Sequence, residues 1–176
     1  MYKCYREGIA DERREVFGLP WIVGENALHL CTWVVAGWLL WPVQWAGWPA
    51  LTIGWAGIVG LIQLLLKKHN CSGCYYYDKL CHLGWGKVSA ALFPQDSGDP
   101  KTGMRLSLFY VLSPPLILLG TILIGYTLPT GRGHWILLGV YVTLNVALFA
   151  LRTKTCRVCA QRKVCPGSAV KGRAAR

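Results

Sequence analysis

Residues 69–84 read His-Asn-Cys-Ser-Gly-Cys-Tyr-Tyr-Tyr-Asp-Lys-Leu-Cys-His-Leu-Gly, a C-x2-C-x6-C-H pattern lodged between long apolar runs. A C-x2-C turn aims two sulfurs at one centre, and a third thiol nearby supplies most of a metal's coordination shell. Cys156, Cys159 and Cys165 repeat the arrangement near the C-terminus. In both stretches the last cysteine follows a Lys and an aliphatic residue, Lys79-Leu80 in one and Lys163-Val164 in the other.

Two ligand arrangements satisfy four-coordination. One uses Cys71, Cys74, Cys81 and either His82 or His69 at a first site, with Cys156, Cys159, Cys165 and Cys4 at a second. The other places Cys71, Cys74, Cys156 and Cys159 around a single ion and leaves Cys81 and Cys165 spare. Cys31 lies within an apolar run and reads as a small apolar side chain. The donor set suits a 4Fe-4S cluster, which is the leading expectation, and zinc is the alternative. Thiol–disulfide exchange by the Cys71–Cys74 and Cys156–Cys159 pairs is a third. The triple tyrosine 75–77 serves either as a shield over a cluster or as an anchor at headgroup level.

Other polar groups are sparse in the apolar runs. Glu25 and His29 share a helix face at i and i+4, and Gln63 lies near the same end of the next segment. Ionisable groups in such a setting are costly. They suggest interhelical bonding first, and a proton relay or a quinone as small-molecule partner second. A bis-histidine haem would need His29 and His134, which the topology below separates. There is no nucleophile elbow, phosphate loop, H-E-x-x-H or paired carboxylates, so nothing points to a hydrolase or transferase. A non-catalytic subunit is expected rather than a stand-alone enzyme.

The segments that carry these motifs are those of a membrane protein. In 176 residues, 53% are hydrophobic and nine are Trp, six of them between Trp33 and Trp55, as in an interfacial aromatic belt. The expected fold is an all-α integral membrane protein with four transmembrane helices in two hairpins, each followed by a cytoplasmic Cys-rich metal-binding loop. An amphipathic interfacial segment covers 1–20 and no cleavable signal is expected there. The first hairpin covers 21–68, with helices near 23–42 and 49–67 and a turn at Trp41 to Pro49. The Cys-motif loop covers 69–104, with an interfacial turn or short helix around Trp85 to Phe93. The second hairpin covers 105–152, its helices at Leu106 to Tyr126, kinked by Pro114-Pro115, and at His134 to Leu151. The second motif and a basic tail cover 153–176.

The formal net charge is +11. Lys and Arg crowd the segment between the hairpins and the C-terminal tail, whereas the opposite loops offer only Arg132. The positive-inside rule therefore places both termini and both motifs on the cytoplasmic side of an inner (plasma) membrane. Cytosolic thiols stay reduced, which favours metal over structural disulfides. The charge answers anionic lipid rather than nucleic acid. The sequence thus reads as a small iron–sulfur electron-transfer subunit or anchor in a membrane complex, with membrane lipids and protein subunits as partners. A zinc-stapled scaffold is the alternative.

Overall fold

The computed structural model describes residues 16–159 and Val170. Cys4, Cys165, most of the expected N-terminal interfacial segment and most of the basic tail lie outside the described residues. Among the described residues every regular element is a helix, and the one isolated bridge joins Trp45 and Trp48.

The first long helix, α1 (Leu19–Leu40), starts with Pro20 in its first turn, where a missing N–H leaves no helical bond unmade. It ends at the Trp-rich turn read from the sequence. Trp45 and Trp48 exchange both backbone hydrogen bonds, at 2.9 and 3.0 Å, across Ala46 (φ 50°) and Gly47 (φ 80°). Two successive positive φ values make this a tight hairpin turn that reverses the chain within two residues. The return helix is α2 (Ala50–Leu66). Thr52 Oγ1 donates to the Gly37 carbonyl at 2.8 Å and Trp55 Nε1 to that of Trp33 at 3.1 Å, which fixes the register of α1 against α2.

The sequence suggests that Lys67-Lys68 stop this helix, but the backbone continues. A π turn, Lys67–Cys71, carries the helix through the first cysteine. The basic pair therefore marks a polar boundary rather than a helix end. Two short helices, α3 (Trp85–Leu92) and α4 (Pro100–Ser107), pack around the π turn. They collect the carbonyls that a π turn leaves unpaired. Buried Ser89 donates to the Lys67 carbonyl at 2.8 Å, and buried Ser72 donates to that of Lys68 while accepting the Gly98 amide at 3.2 Å. The approach is close enough to require glycine. A Cβ on Gly86 would stand 1.8 Å from the Tyr76 carbonyl oxygen, and one on Gly98, just before α4, would stand 2.1 Å from that of Lys68.

Asp99 caps α4, accepting from the Lys101 and Thr102 amides at 3.2 and 2.9 Å and from the Thr102 hydroxyl at 2.6 Å. The Thr102 hydroxyl, then its amide, hold the Asp99 carboxyl below the ordinary carboxylate value. α5 (Phe109–Thr127) follows after a break at Leu108 and carries Pro114 and Pro115 inside it; α6 (Arg132–Val158) runs back and encloses Cys156.

α1 touches all three of the other long helices, most extensively α6. Away from the cysteine motifs lies an apolar cluster: Ala36 and Leu39 of α1 meet Leu138 and Tyr141 of α6, with Trp55 and Ile117 alongside. The outward faces are also apolar, with Trp38, Leu61, Leu116, Ile136 and Phe149 all exposed. In water such a surface would be untenable; against lipid it is the expected one. Among the described residues three segments are long and apolar enough to cross a membrane: Ala50–Cys71, Pro100–Thr127 and Arg132–Val158. α1 has the length, 22 residues, but holds Glu25, Asn26 and His29 in its first half.

Candidate functional site

The end of the bundle beneath the first cysteine motif is built around one buried carboxylate. Glu25 is 2% exposed, and three side chains from three parts of the chain converge on it. Trp21 Nε1 donates to Oε2 at 3.2 Å from one helical turn earlier. Thr155 Oγ1, from the end of α6, donates to the same oxygen at 3.5 Å. His82 Nδ1, from the cysteine motif, lies 2.9 Å from Oε1, although it makes no aligned hydrogen bond among the described residues. The contact is therefore an ionic one when the ring is protonated rather than a directed hydrogen bond. Next to it, Asn26 Nδ2 bridges the Ile22 and Leu83 carbonyls at 2.8 and 3.0 Å, and the Phe17 amide donates to the Leu80 carbonyl at 2.9 Å. Residues 80–83 are thereby tied to the start of α1.

Cysteines surround this knot. Phe17, Ile22 and Tyr76 form a small buried cluster. Cys74 and Cys81 of the first motif pack against it, as do Val158 and Cys159 of the second. Turns within the first motif follow from its spacing: the Cys74 amide donates to the Cys71 carbonyl at 3.2 Å and the Tyr77 amide to that of Cys74 at 3.0 Å. The Tyr76 amide also points at Cys74 Sγ, 3.5 Å away, a donor that favours the thiolate. The six described cysteines form no disulfide among the described residues. Cys31 is exposed on the outer face of α1.

The expected ligands are thus distributed as follows. Cys74, Cys81 and Cys159 share one cluster, and Cys71 and Cys156 sit on the adjoining helix ends. His82 is engaged by Glu25. His69 Nδ1 accepts the Asp99 amide at 3.0 Å, so its proton resides on Nε2. Among the described residues no three His, Cys, Asp or Glu groups stand together as a metal-holding set. The tyrosines divide in role. Tyr76 is buried in the cluster, Tyr77 donates to the Phe93 carbonyl at 2.9 Å, and Tyr75 lies under the Lys79 ammonium, 4.3 Å from its ring centre.

Sequence reasoning paired Glu25 with His29. The fold instead sends the Glu25 side chain to His82 and Thr155, and gives His29 Nδ1 only the Glu25 backbone carbonyl, at 2.8 Å. The signal for the first contact was present: Glu25 is the lone acidic residue between Trp21 and Leu66. Gln63 bonds Tyr110, a residue without any distinguishing motif. His134 Nε2 donates to the Thr121 carbonyl at 2.9 Å, near the start of α6.

Comparison of the chain with protein-family models, with curated proteins and with solved structures finds no match.

Proposed function

We propose that this chain is a membrane-embedded metal–thiolate protein, an electron-transfer subunit whose cysteine cap carries an iron–sulfur cluster. The observation that carries the reading is the gathering of Cys74, Cys81 and Cys159, drawn from both motifs, on the single cluster of Phe17, Ile22 and Tyr76. It favours a site shared between the motifs over one site for each. Thiolates in an apolar, aromatic setting with an amide N–H directed at sulfur suit a cluster, because burial and hydrogen bonds to sulfur set its potential. Cys71 and Cys156 lie three positions before Cys74 and Cys159 in their motifs, and a closed shell would require rearrangement to bring four sulfurs together.

In this reading α1 is a fourth span. Its 22 residues correspond to about 33 Å of helix, and a tight turn joins it to α2, so it must cross whatever α2 crosses. Its polar groups are met inside the bundle by Thr155, His82 and backbone carbonyls, which removes the main penalty for placing them in a membrane. Positive-inside reasoning puts the cap and both termini in the cytoplasm of a plasma-membrane protein.

The test is metal and acid-labile sulfide content, with a visible spectrum, on anaerobically purified protein and on a Cys74→Ser, Cys159→Ser double variant. Iron with sulfide and a broad absorbance that bleaches on reduction, lost in the variant, is the expected result. Zinc without sulfide would replace the electron-transfer reading with a stapled scaffold. Protein free of metal would overturn both and return the cysteines to dithiol chemistry.

A further inference from the structure

Between α1, α5 and α6, on the cap side of the apolar core, lies a cavity of about 620 Å³. Its inner wall combines His29 and Trp33 of α1, Trp55 of α2, Tyr110 of α5, and Asn145 and Arg152 of α6. Its rim includes Leu108, Val111 and Phe149, which are exposed on the outer surface of the bundle, so the mouth opens sideways. In a bilayer such a mouth admits ligands dissolved in lipid.

The hydrogen-bonding state of the wall follows from its internal contacts. A carbonyl only accepts, so the bond between His29 Nδ1 and the Glu25 carbonyl fixes the hydrogen on Nδ1. In the neutral ring Nε2 is then an acceptor. The ring stands edge-on to both Trp33 and Tyr110, centroids 5.8 and 6.3 Å away, within the cavity wall. The Tyr110 oxygen accepts from Gln63 Nε2, which leaves its own O–H to donate elsewhere. One acceptor and one donor are thus set among aromatic rings. A pocket of this volume, mostly apolar with a few convergent polar groups, has the character of a small-ligand site.

We propose that this cavity binds the headgroup of a lipid-soluble hydroquinone. A hydroquinone O–H donates to His29 Nε2, the other ring oxygen accepts from Tyr110, and Trp33, Trp55 and Phe149 flank the ring and the start of its tail. The oxidised quinone has no O–H to offer His29, so the reduced form binds more tightly. The site stands apart from the cysteine cap and does not depend on a metal there.

The experiment is a titration, under argon, of the full chain in phosphatidylcholine nanodiscs with a short-tail ubiquinol and with the matching ubiquinone, read by thermal unfolding and tryptophan quenching. Saturable binding with preference for the quinol is expected. Tyr110→Phe removes only the hydroxyl and weakens binding about tenfold, the worth of one hydrogen bond in a dry site. His29→Phe abolishes the preference for the reduced form, and Ser113→Phe, which fills the cavity, abolishes binding. The Cys74→Ser, Cys159→Ser variant binds as the unaltered protein does, which separates this proposal from the metal. Absence of saturable binding, or equal affinities in Tyr110→Phe and His29→Phe, would overturn it; these two variants keep an aromatic ring in place and decide the matter even where Ser113→Phe does not fold. Stabilisation by phosphatidylglycerol with none by quinol would also overturn it and make the cavity an anionic-lipid site around Arg152.

Discussion

The two halves of α1 bury different chemistry, the second against α2 and α6 and the first against the cysteine cap and the end of α6. From Ala36 to Leu40 the buried face is small or aliphatic, and even a Cβ on Gly37 would meet Thr52 and Trp55 of α2 at 3.5 and 3.6 Å, ordinary van der Waals contact. From Trp21 to Thr32, apart from Ile22, the inward groups are the buried carboxylate of Glu25 and hydroxyl of Thr32 and the half-buried amide of Asn26 and imidazole of His29. The apolar half holds mainly by close packing, helped by the Thr52 bond to the Gly37 carbonyl, as helices in lipid commonly do, because no hydrophobic gain separates lipid from a neighbouring side chain. The polar half holds by partners. Each partner of Glu25 and Asn26 outside α1 comes from the cysteine cap or from the end of α6. The difference teaches where specificity resides: packing sets how close the helices lie, and the polar knot sets how the cap sits on them.

The largest expected effect is at the knot. Glu25→Leu strands the Trp21 and Thr155 donors and releases His82, and should destabilise by about 4 kcal/mol, since removing one side of a buried charged group leaves the other uncompensated. Glu25→Gln keeps an acceptor and should lose well under half of that. Chemical unfolding in mild detergent measures both, and alkylation of Cys81 and Cys159 should accelerate in Glu25→Leu. If Glu25→Leu unfolds no more easily than Leu39→Ala, the contrast between the halves collapses. Leu39→Ala empties a fully buried site in the apolar half and should cost about 2.5 kcal/mol without altering cysteine reactivity. Thr52→Val deletes the bond to Gly37 while keeping shape, and about 0.6 kcal/mol is expected, typical of hydrogen bonds between helices in membranes.

The smallest effect lies at the edge of the cap. Asp99 has its folded-state acidity raised by Thr102, so its stabilising contribution is fully present above the unfolded-state carboxyl value. It is lost as the pH falls through the lower folded-state value. Asp99→Ala should therefore match the unaltered protein at strongly acid pH and be slightly less stable near neutrality. Amide exchange at Lys101 and Thr102 reports it.

The comparison also shows what the sequence could convey. The hairpin turn was legible because Pro42, Gly47 and Pro49 interrupt an uncharged run, and two positive φ values at Ala46 and Gly47 need little more than that. The short helix after Trp85 and the loop around Pro94 were likewise marked by composition. The cysteine spacing announced turns, and turns are present. Glu25 stood out as the lone acidic residue of its run, but its partners and those of Asn26 were not legible, because Asn26 meets the Leu83 carbonyl across 57 positions and Glu25 meets Thr155 across 130. Local periodicity carries no term for such pairs. Similarly, Tyr110 and Arg152 belong to the cavity only because three helices bring them together. The extension of α2 through Cys71 was hidden by its basic pair. Lysines there report the lipid boundary, whereas helix continuation is decided by Ser72, Ser89 and the glycine-tight contacts of α3 and α4.

The reach of Glu25 across 130 positions also sets an order of assembly. Chains emerge from the ribosome N-terminus first, so α1 enters its surroundings long before Thr155 is made. His82 arrives earlier and can meet the carboxylate when the first hairpin closes, but the hydroxyl from α6 is among the last groups to be synthesised. A nascent chain halted before α6 keeps an acidic side chain half-dressed in a region that α6 would otherwise cover. Completion of the protein is thus chemically distinguishable from its interruption by the last hydrogen bond that the Glu25 carboxyl receives.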